Sequence, residues 1–79
     1  MDLEFKKLCS IICDVLGVEE DEITPDSTFV DDLGADSLDV AQIILGIEDE
    51  FDVTVDEDVA SDVRTVGQAL ELIKNAIGE

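Results

Sequence analysis

The chain has 79 residues, 22 of them acidic against four basic and none of them histidine, for a formal net charge of -18 at pH 7. That length allows one small core, so a single domain over residues 1–79 is expected; the charge repels phosphate backbones and anionic lipid, which excludes nucleic acid and membrane as partners and favours proteins with Lys and Arg patches. A hydrophobic content of 46% separates the chain from an acidic disordered tail, provided those residues recur with a period.

They do recur. Phe5, Leu8, Ile12, Val15 and Leu16 stand at helical spacing and predict a first helix over Leu3 to Leu16 with one buried stripe. Asp2 is its expected N-cap, and Gly17 is the left-handed residue past its end. Cys9 falls at the edge of the stripe and Cys13 beyond it. Zinc needs about four Cys or His donors, so these two read as small hydrophobes in reduced surroundings.

From Val18 to Asp36 no period holds, acids cluster at Glu19 to Glu22, and Thr24-Pro25-Asp26 interrupts any helix. A loop this long is uncommon in a small domain unless it is functional or pinned. Val18, Ile23, Phe29 and Leu33 are available to pin it, and Gly34 permits a sharp turn. A second helix is predicted from Ser37 to Phe51, capped by Asp36 with Asp39 as its box-like partner. Its buried group is Val40, Ile43, Ile44, Ile47 and Phe51.

Val53-Thr54-Val55 is too short to make a sheet and reads as a connector. Asp56 to Ala60 is an irregular helical turn. Thr65 and Gln68 match a capping box, and Val66, Ala69, Leu70, Ile73 and Ile77 form the stripe of a last helix ending at Gly78. The expected fold is all-α: a small antiparallel bundle of three main helices and one short one, with a long loop between the first two.

A catalyst needs a base for its nucleophile, a metal cage, or paired carboxylates in a sizeable pocket. The first two are missing and a bundle of this size has little room for a cleft, so the chain is expected not to be an enzyme. Nor is a metal site expected. In the best calcium-loop register, starting at Asp52, Glu57 stands where Gly is required and Val63 where the last Glu belongs. No apolar run approaches the roughly 20 residues of a membrane span, and the acidic start lacks the basic region of a signal peptide. A cytoplasmic monomer is expected.

In Asp31-Asp32-Leu33-Gly34-Ala35-Asp36-Ser37-Leu38-Asp39, a Gly turn delivers a hydroxyl to the first turn of an amphipathic helix, where unpaired N–H groups and the dipole favour a phosphate. On spacing alone, a serine in a helix cap is the simpler reading. The segment nevertheless resembles the acyl carrier protein family, whose hallmark is Asp-Ser-Leu preceded by Leu-Gly-Ala and followed by an acidic helix. The resemblance also covers Ile23-Thr24, Phe29-Val30, Ile47-Glu48-Asp49-Glu50-Phe51 and Thr65-Val66-Gly67, in order along nearly the whole chain.

The resemblance implies that Ser37, with Asp36 and Leu38 beside it, accepts covalent 4'-phosphopantetheine from coenzyme A through a separate, magnesium-dependent phosphopantetheinyl transferase. The thiol of that arm would hold acyl groups as thioesters and present them to basic-surfaced acyl-transfer and fatty acid synthesis enzymes. D-alanyl and peptidyl carriers share the fold and the modified serine, and polyketide carriers share the motif. Outside the resemblance stands another alternative, an acidic helical interaction module with no arm.

A partner surface is predicted on the second helix. With Ser37 at zero and about 100° per residue, the buried group centres near 300°, while Leu38, Ala41 and Leu45 lie at about 40° to 100° and point outward. These three stand at i, i+3 and i+7, the spacing that anchors a helix in a groove. Asp36, Asp39, Glu48 and Asp49 flank them. The chain departs from the family's usual pattern at Ala41, Gln42 and Gly46, which bears on partner preference; Gln42 interrupts the acidic rim.

Overall fold

The computed structural model describes residues 3–78. Helix α1 runs Leu3–Leu16, a single 3-10 turn occupies Glu20–Glu22, and α2 (Ser37–Phe51), α3 (Glu57–Asp62) and α4 (Val66–Ala76) follow. The fold is the all-α bundle expected, with three long helices and one short. Asp2, the expected cap of α1, lies outside the described residues.

Each long helix is bounded by the local chemistry that its sequence offers. Gly17 takes φ +72° and its N–H donates to the Cys13 carbonyl at 2.8 Å, closing α1 in the left-handed manner that glycine adopts without strain. Thr65 Oγ1 accepts from the Gln68 N–H while Gln68 Oε1 accepts from the Thr65 N–H, at 3.1 Å each. Helix α4 starts there.

Leu8 and Ile12 of α1, Ile43 and Ile47 of α2, and Val66 and Ile73 of α4 are fully buried and form the centre of the core. Burial of each such side chain contributes about 1.5–3 kcal/mol. Helix α1 packs on both α2 and α4, and Lys7 Nζ sits 5.9 Å from the Phe51 ring centroid across the first of these contacts.

Some expectations need correction. Cys9 belongs to the core, only 4% exposed; α1 is covered on two sides, so a position at the edge of one stripe faces a neighbour. Ile77 is 36% exposed, because α4 ends at Ala76 and passes the end of the core. On α2 the fully buried residues are Ile43 and Ile47, whereas Val40, Ile44 and Phe51 are half-buried. That shifts the buried centre to about 260° on the wheel, toward Gly46, where α1 comes close. The short helix α3 begins one residue later and runs two residues further than the predicted Asp56 to Ala60. It packs weakly on the others.

The long loop folds back onto the bundle. The radius of gyration is 11.2 Å, against about 11.6 Å for a compact chain of this length. Ile23 and Phe29 are buried and Val18 and Leu33 half-buried, as their pinning role requires. Ser27 is buried as well, and its Oγ accepts from the Thr24 N–H at 3.0 Å. No helix among the described residues is long and apolar enough to cross a membrane.

Candidate functional site around Ser37

Three backbone hydrogen bonds tie the loop to the start of α4. The Gly67 N–H donates to the Pro25 carbonyl at 2.8 Å, the Val66 N–H to that of Ser27 at 2.9 Å, and the Phe29 N–H to that of Arg64 at 3.0 Å. Thr28 and Thr65 form an isolated antiparallel bridge. A β-carbon on Gly67 would lie 2.9 Å from the Pro25 carbonyl oxygen, so this approach requires glycine.

From that anchor the chain doubles back. Asp32 Oδ2 accepts from the Thr28 N–H at 2.9 Å and Thr28 Oγ1 accepts from the Asp32 N–H at 3.0 Å. The Leu33, Gly34 and Ala35 N–H groups then donate to the carbonyls of Thr28, Val30 and Phe29. Gly34 turns at φ +73° and Ala35 is buried. The next residue, Asp36, is extended and caps α2: its Oδ1 accepts from the Asp39 N–H at 2.8 Å, and Asp39 Oδ2 accepts from the Asp36 N–H at 3.3 Å.

Ser37 follows as the first helical residue and is exposed. Its hydroxyl enters none of the hydrogen bonds of the cap. Backbone N–H groups of a first turn, together with the positive end of the helix dipole, favour an anion there. The other serines differ. Ser27 is buried and bonded to Thr24, Ser61 Oγ donates to the Asp58 carbonyl, and Ser10 is exposed in the middle of α1.

The residues expected beside Ser37 are placed as follows. Leu38 and Leu45 are 65% and 63% exposed, and Ala41, Gln42 and Asp49 are exposed on the same helix. Asp36 and Asp39 have their carboxylates turned to the backbone of the cap. Glu48 is half-buried and its Oε2 accepts from the Val55 N–H. Sequence reasoning missed the Thr28–Asp32 pair, whose only signal is a threonine four residues before an aspartate.

A depression of about 370 Å³, lined by Val55, Val59, Leu72 and Ala76 among others, lies past the C-terminal end of α2. Ser37 is at the opposite end of that helix, on open surface. Burial, and then the negative charge of Glu20, push the thiols of Cys9 and Cys13 above the ordinary cysteine range, away from the thiolate form. Among the described residues no group of three or more His, Cys, Asp and Glu side chains is placed to hold a metal ion.

The family model described as a phosphopantetheine attachment site matches residues 6–73. The match begins in α1 and ends in α4, so it takes in the anchored loop, the capped serine and all of α2.

Proposed function

The chain belongs to the phosphopantetheine-attachment family, whose members carry 4'-phosphopantetheine covalently, and on that premise we propose that Ser37 bears the arm and that the protein carries acyl intermediates for fatty acid biosynthesis. One observation carries the assignment: Ser37 is the serine that is both exposed and set on the first turn of a long helix by a closed capping box. The residues fit the group. A phosphodiester at Ser37 would sit where backbone N–H groups and the helix dipole favour negative charge.

When attached, the arm supplies a thiol on which acyl groups are held as thioesters. The chain's own residues fix the serine between buried Ala35 and the capped turn and leave its hydroxyl on open surface for a separate phosphopantetheinyl transferase. The exposed Leu38, Ala41 and Leu45, with Asp39 and Asp49 beside them, form the face that docks such enzymes; the acids steer a basic partner and the leucines set how long it stays. Charge favours an acyl carrier over peptidyl carriers, which are much less acidic as a class.

Incubation with coenzyme A and a broad-specificity phosphopantetheinyl transferase, followed by intact mass, tests the reading. One phosphopantetheine is expected on the wild-type chain, mapped to the peptide containing Ser37, and none on Ser37→Ala. An arm on another serine, or continued labelling of the alanine variant, refutes the assignment. Malonyl loading of the modified protein by fatty acid synthesis enzymes is then expected, and failure to load removes the pathway assignment while leaving the carrier role.

A further inference from the structure

We propose that α1 shares in partner recognition: the trough between α1 and α2 receives an arginine side chain of a basic partner protein. This goes beyond the docking face described above, which lies on α2 alone, and it does not depend on which serine bears the arm.

The trough has a volume of about 300 Å³. Ile11 and Val15 of α1 and Gly46 of α2, all half-buried, form its floor. Gly46 contributes no side chain, and a β-carbon there would sit 2.8 Å from Ile11 Cγ2, so the two helices close the bottom of the trough with hydrocarbon. Its rim is polar. Asp14 of α1 stands on one side and Gln42, Asp49 and Glu50 of α2 on the other, all exposed. Among the described residues, no N–H group donates a hydrogen bond to the carboxylates of Asp14, Asp49 or Glu50, and no basic side chain pairs with them.

An apolar floor under an acidic rim fits a side chain that is hydrocarbon along its stem and cationic at its tip. Arginine suits it better than lysine, because a planar, weakly hydrated guanidinium presents five donors and can reach carboxylates on both helices at once. A metal ion fits poorly, since among the described residues no group of three or more His, Cys, Asp and Glu is placed to hold one. A second copy of this chain would bring a net charge of -18 to the same acids, and repulsion excludes it.

The trough is also within a partner's reach. With Ser37 at zero, its α2 residues lie at about 120° to 220° on the wheel, between the Leu38–Leu45 stripe and the buried centre. From Ser37 to Gly46 is about 14 Å along the helix axis, and a standard interface covers about 800 Å² of each partner, roughly 30 Å across. A protein seated on the leucine stripe therefore has the trough under its edge.

The probe is a blocked, helical, alanine-based peptide carrying one arginine, compared with its lysine and citrulline counterparts; citrulline keeps the shape of arginine without the charge. Each is titrated into the isotope-labelled, unmodified full chain at about 0.15 M salt, where charges more than about 8 Å apart are largely screened. The arginine peptide is expected to shift the amide resonances of Val15, Gln42 and Gly46. The lysine peptide should bind several-fold more weakly, and the citrulline peptide should shift nothing. Asp14→Asn should weaken arginine binding about two- to fivefold, the range for an exposed ion pair, while Asp62→Asn, which removes the same charge from α3, leaves it unchanged.

Shifts scattered over acids elsewhere, equal losses in Asp14→Asn and Asp62→Asn, or lysine binding as tightly as arginine would each overturn the proposal. So would the same shifts from magnesium chloride at equal ionic strength, which would make the trough a site for any cation. The arginine and citrulline contrast on the wild-type chain decides the matter even if Asp14→Asn does not fold. Its failure leaves the Ser37 reading intact, since that reading is tested by mass after arm transfer.

Discussion

Glu48 Oε2 accepts a hydrogen bond of 2.8 Å from the backbone N–H of Val55, seven residues further along the chain. The Glu48 carbonyl also accepts from the Val53 N–H at 3.1 Å, so one residue of α2 holds both ends of the Val53–Val55 connector. Glu48→Gln keeps an acceptor and removes one charge from an over-acidic chain, whereas Glu48→Ala leaves the Val55 N–H without its partner. The glutamine variant is expected to be at least as stable as wild type. The alanine variant should be less stable than the glutamine variant by about 1–2 kcal/mol in urea unfolding, and equal stability of the two would show that the bond contributes nothing.

Gly46 lies inside α2, where propensity alone predicts that alanine stabilises by about 1 kcal/mol. The packing reverses that sign. A β-carbon at Gly46 would sit 2.8 Å from Ile11 Cγ2 of α1, and a β-branched side chain has little freedom to move aside. Gly46→Ala is expected to destabilise the wild-type chain, yet to stabilise an Ile11→Ala background in which that methyl is gone. A double-mutant cycle measures the difference; additive effects would mean that the two helices separate without cost.

The last turn of α2 contains Glu48, Asp49 and Glu50 and no basic residue, and its C-cap, Asp52, takes a left-handed φ of 55°. All four acids face the negative end of the helix dipole. Asp52→Asn retains a side chain that tolerates this backbone and removes one repelling charge, for an expected gain of about 0.3–1 kcal/mol at low ionic strength. The gain should shrink as salt is added, since charges more than about 10 Å apart are screened at 0.1 M. The wild-type melting temperature should itself rise with salt and with divalent cations, and a melting temperature indifferent to both would show that these acids do not strain the native state.

The three long helices were legible because each has a complete local description: an apolar stripe, and a boundary at Gly17, at Asp36 with Asp39, or at Thr65 with Gln68. The pinning of the loop by Ile23 and Phe29 was legible too, since no other surface is available to large side chains in a segment without a period. What escaped depends on approach between distant segments. Nothing near Ser27 or Ala35 in sequence says that each is buried, and the Phe29–Arg64, Ser27–Val66 and Pro25–Gly67 hydrogen bonds join residues 35 or more positions apart. Ser37 was legible as a helix-start hydroxyl and, through resemblance, as a carrier serine, but the scaffold behind it was not.

The two faces of α2 give the test that best divides fold from function. Leu45 is 63% exposed, whereas Ile47, two residues away, is fully buried. Ile47→Ala is expected to cost about 2–5 kcal/mol, the range for truncating a large aliphatic core side chain. Ile44, half-buried, should cost less than Ile47, since part of its side chain is already in contact with water. Leu45→Ala removes apolar surface that nothing in the bundle covers, so its melting temperature should stay near wild type. Its effect belongs to the partner complex: slower phosphopantetheine transfer to Ser37, through faster dissociation of the enzyme rather than slower encounter. Asp49→Lys should do the reverse, lowering the association rate most at low salt, where an exposed charge steers most strongly. Thermal unfolding and transferase kinetics on the same variants decide the matter. A Leu45→Ala protein that melts early and is modified at the wild-type rate would mean that this face packs within the fold and docks nothing.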